Sequence, residues 1–187
     1  MARSKEYIKK MNKYVDDVLS GERKAGRLEI KTVERHVNDL KYAVEKGIFW
    51  DERAAMKALE FFSLLRHYKG KWAGTEFELE GWQCFVVASI FGWKKAGGAR
   101  RFNVGYLEVS RKNGKTQLAA AIGLIMLLVD GEFGAEVYSA AVDKDQASIC
   151  WSAAGAMIQQ SPVLKKRALV SKKSIVVENT MSVFKAF

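Results

Sequence analysis

The chain has 187 residues, 49% of them hydrophobic, with ten Phe, five Trp and six Tyr, so one domain, or a domain with an appendage, can build a real core. Its formal net charge of +10 points to an acidic partner, nucleic acid first, although a merely soluble basic protein carries such a charge too. Two isolated cysteines, Cys84 and Cys150, with only His36 and His67 as helpers, argue against a disulfide scaffold or a zinc site and fit a reducing cytoplasm.

Residues 4–19 place Tyr7, Ile8, Met11, Tyr14, Val15 and Leu19 at helical spacing among charged residues, and Ser20-Gly21 ends that helix. The mixed charge after Met1 does not read as a signal peptide. A second helix is expected over 32–45, with Thr32 as N-cap and Val33, Val37, Leu40 and Val44 on one face, stopped by Gly47. A third runs from the cap Asp51 to about Tyr68, burying Met56, Leu59, Phe62, Leu64 and Leu65. Residues 1–70 are therefore expected to be a helical region, a lid or appendage ahead of a core over 71–187. From Trp72 the pattern changes. A short extended piece over 77–79 precedes an apolar helix over 84–91, and 92–101 is a glycine-rich basic loop. Beyond the centre of the chain, 130–134 is a turn, 136–142 a strand, 144–160 a helix broken by Ser161-Pro162, and 174–184 a β-hairpin.

The centre itself carries the chemistry. Phe102–Val109 reads as a buried strand, Ser110-Arg111-Lys112-Asn113-Gly114-Lys115-Thr116 as a polar turn, and Gln117–Val129 as a buried helix, in which the run Ile122–Val129 is too short to span a membrane. Strand, turn and a helix opening on Gly-Lys-Thr form the context of a phosphate-binding loop. The first N–H groups of a helix have no intrahelical partner and attract an anion. Lys115 adds a full charge for the β- and γ-phosphates, and the Thr116 hydroxyl suits Mg²⁺. Val109 stands where the usual loop has its first glycine, and Arg111 and Lys112 replace small residues. A basic strand-to-helix turn on an ordinary α/β protein is the other reading. Asp143, ending an apolar strand, reads either as a metal-binding Walker B aspartate or, with Asp145, as the cap of the following helix.

The chain resembles the large terminase subunit of tailed bacteriophages, and within it the branch with an Arg-Lys-Asn-Gly-Lys-Ser/Thr loop. The resemblance runs through 61–70, Leu79-Glu80-Gly81-Trp82-Gln83, Phe91-Gly92-Trp93, Arg100-Arg101-Phe102, the loop itself, 131–138, Asp145-Gln146-Ala147 and Ser161-Pro162. It implies an α/β P-loop NTPase core, a mostly parallel sheet with flanking helices, incomplete and preceded by the helical N-terminal region. It implies ATP and Mg²⁺ as cofactors, bound by Ser110, Arg111, Lys112, Asn113, Gly114, Lys115 and Thr116, with Thr116 on the metal. Arg111 and Lys115 take catalytic roles, Arg111 by offsetting charge on the γ-phosphate. Gln83 matches an adenine-reading glutamine, its carboxamide offering one acceptor and two donors. For Arg111 the alternative is a surface arginine paired with a carboxylate; for Gln83 it is a polar residue opening a buried helix.

The partners implied are double-stranded viral DNA, the portal protein, the small terminase subunit and further copies of the chain, with no membrane. The setting is the host bacterial cytoplasm and, transiently, the procapsid portal. The related Walker B strand, coupling motif and nuclease domain are not matched within these residues, so the expectation is an N-terminal portion that binds nucleotide without turning it over. Two other readings stay open: another P-loop nucleic-acid motor of helicase type, and a remnant that no longer binds nucleotide.

Overall fold

A computed structural model describes residues 2–172 and 174–187. The chain packs as two compact units, one comprising the residues up to Glu60 together with Leu79–Leu107, the other Phe61–Glu78 with Glu108–Phe187. Packing thus groups 79–107 with the N-terminal helices.

The first unit holds α1 (Ala2–Ser20), α2 (Arg27–Lys41), β1 (Ile48–Trp50), nearly all of α3 (Glu52–Phe61), α4 (Gly81–Gly92) and β2 (Trp93–Lys95). The helical spacing of Tyr7, Met11, Tyr14 and Val15 gives α1 one buried stripe, which lies along α4. Gly81 allows the approach, because a Cβ there would meet the Lys10 carbonyl oxygen and the Tyr14 Cβ at 3.0 Å. Asp51 caps α3 as expected, its carboxylate accepting from the Ala54 N–H at 2.9 Å.

α2 departs from the sequence reading. It starts at Arg27 behind Gly26, whose N–H is accepted by Glu29. Thr32 lies inside the helix with its hydroxyl on the Leu28 carbonyl at 2.8 Å, so it is no cap. The buried face carries Val33, His36 and Asp39, whereas Val37, Leu40 and Val44 are exposed. Two polar residues can be inside because each is partnered there. The His36 Nδ1 accepts from the Trp93 indole N–H at 3.1 Å, and the ring stands edge-on to Trp50, Phe85 and Trp93. Asp39 takes Lys46 at 2.8 Å and Arg101. The antiparallel β1–β2 ribbon, which replaces part of the expected basic loop, supplies the two tryptophans.

The second unit holds α5 (Lys115–Leu128), β3 (Glu136–Ser139), α6 (Lys144–Gln160), α7 (Pro162–Lys165), β4 (Leu169–Val170), β5 (Ser174–Val177) and β6 (Ser182–Ala186). Its sheet runs β3-β6-β5-β4. The expected hairpin is present as β5–β6, turning through a 3₁₀ segment at Glu178–Thr180. The fold is α/β, but the sheet is not mostly parallel among the described residues. Only β3–β6 is parallel, because β4, β5 and β6 are joined by short connections that permit antiparallel pairing alone.

α5 is apolar on nearly all sides, and Leu118, Ala121, Leu124 and Ile125 are buried against α6 and the sheet. A Cβ at Gly123 would fall 2.9 Å from Phe184 Cε1 and 3.5 Å from Val137 Cγ1. Phe184 is itself buried. Gly123→Val is therefore expected to lower the stability of this unit by about 2–3 kcal/mol. An unaltered urea midpoint for the variant would contradict this packing.

Two further expectations are corrected. The helix begun at Glu52 continues as a 3₁₀ turn over Phe62–Leu64 and stops before Leu65, not at Tyr68. Its backbone is diverted into a hairpin, with Phe77 N–H on the Leu65 carbonyl at 3.1 Å and His67 N–H on the Thr75 carbonyl at 2.9 Å. Phe102–Val109 forms no strand, and Val104 and Tyr106 are 87% and 85% exposed. Strand-forming residues make a strand only beside a paired neighbour, and none of the named strands pairs with this segment among the described residues.

Candidate nucleotide site

The loop ahead of α5 is built from its own polar atoms. Asn113 Nδ2 donates to Ser110 Oγ at 2.7 Å and reaches the carbonyls of Ser110 and Arg111 at 3.3 and 3.4 Å. Two residues have left-handed backbones, Lys112 at φ 70° and Gly114 at φ 73°. Glycine takes that conformation without penalty, whereas Lys112 is strained by roughly 1–2 kcal/mol. Non-glycine residues so placed concentrate at ligand-binding turns.

Gly114 is the N-cap of α5 and has no side chain to cap it. Other helices in this unit are capped: Asp143 accepts from Gln146 N–H at 2.8 Å on α6, and Ser161 from Leu164 N–H on α7. Among the described residues no side chain caps the opening amides of α5, at Lys115, Thr116 and Gln117, which leaves them for an external acceptor. Lys115 folds back over the turn, its Nζ donating to the carbonyl oxygens of Val109 and of Ser110, the latter at 3.0 Å. Two carbonyls thus hold the ammonium over the turn that leads into those amides. Thr116 is half-buried one residue further on.

The structure thus brings Ser110, Arg111, Lys112, Asn113, Gly114, Lys115 and Thr116 into one turn. Arg111 is exposed and, among the described residues, pairs with no carboxylate. Gln83 lies in the other unit, 5% exposed, at the start of α4. Its Oε1 accepts the Glu80 N–H at 2.9 Å, which is a helix-capping role. Asp143 serves as a cap, with Asp145 in the first turn of α6. Sequence reasoning missed His67, whose Nδ1 lies 2.9 Å from Gln117 Oε1. Nothing in the spacing of residues 67 and 117 signals that contact.

The family model described as terminase large subunit, ATPase domain, matches residues 81–187, more than half of the chain. The chain belongs to that family. The fold is similar to the crystal structure of the HK97 bacteriophage large terminase, with a TM-score of 0.59 at 20% sequence identity. That likeness covers 71% of this chain and 27% of the HK97 protein, so the chain spans little more than a quarter of that terminase's length. At such identity the likeness speaks to fold alone. No curated protein matches the chain. As a terminase ATPase-domain chain it falls in a nucleotide-binding class, and its matched segment contains both the turn at 110–116 and Gln83. None of its described helices is long and apolar enough to cross a membrane.

Proposed function

We propose that the chain is the ATP-binding part of a phage DNA-packaging motor, and that the turn 110–116 with the first turn of α5 holds the triphosphate. The observation that carries this reading is the uncapped, glycine-led start of α5 with the Lys115 ammonium folded beside it. The donor set fits the ligand. Backbone amides at Gly114–Gln117 suit phosphate oxygens, Lys115 exchanges its carbonyl partners for the β- and γ-phosphates, and the Thr116 hydroxyl suits Mg²⁺. Bound there, Mg²⁺ would neutralise charge on the phosphate oxygens. Arg111, exposed and paired with no carboxylate among the described residues, can turn toward the γ-phosphate. In this reading the motor's substrate is double-stranded viral DNA, and the portal, the small subunit and further copies of the chain are its partners in the host cytoplasm. The test is equilibrium dialysis of the full chain against Mg–ATP. Saturable binding at one site is expected, and its absence would favour a remnant that has lost nucleotide.

Gln83 is proposed as the adenine reader, with its cap role as the competing account. Gln83→Glu separates the two, because it keeps an acceptor for the Glu80 N–H but loses the amide donors. The adenine reading expects the preference for ATP over GTP to drop about tenfold in both Gln83→Glu and Gln83→Ala. If Gln83→Glu retains the preference, the residue is a cap and nothing more.

A further inference from the structure

The first turn of α5 is tied to a hairpin 50 residues earlier in the chain. Gln117 is the third residue of α5, and its own N–H is one of the opening amides. Its side-chain Oε1 accepts from the His67 ring at Nδ1, 2.9 Å away. His67 is held in turn from three directions. Its N–H donates to the Thr75 carbonyl at 2.9 Å, and its carbonyl accepts from Gly74 at 2.8 Å. Its ring lies 4.9 Å from that of Phe77, a buried residue that stacks edge-on against Phe62. The positions Gly70 and Gly74, at φ 78° and 84°, let the hairpin close over this short span. A Gln side chain with three free torsions is thereby fixed through one hydrogen bond to a rigid base.

We propose that His67 is a positioning residue for the nucleotide site, holding the first turn of α5 through Gln117 so that the amides of residues 115–117 and the Thr116 hydroxyl stand ready for the phosphates. The inference rests on the nucleotide reading above. Two features separate this contact from ordinary packing. It acts on the residue directly after Lys115-Thr116, and it acts at a helix end that has no cap of its own. A side-chain bond from outside the helix therefore does for α5 what Asp143 does for α6 without occupying the amides. Preorganisation of this kind appears as affinity, because the ordering cost is met before the ligand arrives.

The experiment is calorimetric titration of the full chain with Mg–ATP, for the unaltered protein, His67→Ala, His67→Asn, Gln117→Ala and the double variant His67→Ala with Gln117→Ala. Urea unfolding of each without nucleotide accompanies it. His67→Ala and Gln117→Ala should each weaken binding about three- to tenfold, the range of one neutral hydrogen bond. The double variant should be no weaker than either single one, since both remove the same interaction. His67→Asn, whose amide N–H falls near the position of Nδ1, should recover affinity to within about twofold. It also serves if the alanine variant fails to fold. A merely structural role would lower the urea midpoints and leave these affinities level. Level affinities, additive losses, or no recovery in His67→Asn would overturn the proposal. Binding that is weakened by Lys115→Ala yet indifferent to positions 67 and 117 overturns this inference alone. No binding by the unaltered chain overturns the nucleotide reading, and this inference with it.

Discussion

Lys115→Ala is expected to weaken Mg–ATP binding about a hundredfold while leaving the urea midpoint of the free protein unchanged. In the free protein the ammonium sits on two carbonyls of an exposed turn. Once it is removed, water can take its place on both, so the fold loses little. The bound state has no such substitute. A preorganised charge beside phosphate oxygens is worth about 3 kcal/mol, and 1.4 kcal/mol is a factor of ten in the constant. Calorimetry on the two proteins reads the effect directly. Affinities within about threefold of each other would remove Lys115 from the site.

Acid should destabilise the first unit in a window set by His36. Burial pushes this imidazole down to about 4; Asp39 pulls the other way and Arg35 adds to the lowering. The geometry agrees, since Nδ1 must stay unprotonated to accept from Trp93. The unfolded chain, with an ordinary histidine near 6.5, binds the proton first as pH falls. Stability is thus full above 6.5 and drains away between 6.5 and about 4, by about 3 kcal/mol in all. Asp39 acts lower. Burial alone would raise its carboxyl, but the hydrogen bonds from Arg101 and Lys46 outweigh it and hold the group below the usual carboxylate range. Its contribution is therefore lost only as pH drops beneath that range. Urea unfolding at pH 7, 6, 5 and 4 should show the His36 slope in the unaltered chain and lose it in His36→Gln, which keeps an acceptor without titrating. An equal slope in both would contradict the assignment.

What could be read from the sequence was what local chemistry decides. The apolar run of α5, the caps Asp51 and Asp143, and the β5–β6 hairpin each depend on neighbours a few residues away. The turn at 110–116 was legible for the same reason, since its glycine, lysine and threonine are contiguous. The failures share a different cause. Phe102–Val109 has the composition of a strand, but a strand is a pairing, and the partner is not written in the segment. α2 was displaced because Thr32 is a common cap and Gly26 a less obvious one, while Glu29 supplied the capping contact. The burial of His36 and Asp39 depends on Trp93, Lys46 and Arg101, which come from distant positions to satisfy them. His67 and Gln117 meet across 50 residues with no periodic signal to announce it.

In the proposed function the first turn of α5, with the turn before it, receives the phosphates. Its most direct test is an amide ¹H–¹⁵N titration of the full chain with Mg–ATP, in which each backbone N–H reports its own surroundings. The signals of residues 113–117 should move saturably with one common constant, and in Lys115→Ala they should move only at about hundredfold higher nucleotide concentration. Saturable binding of Mg–ATP with those five amides unmoved would contradict the account.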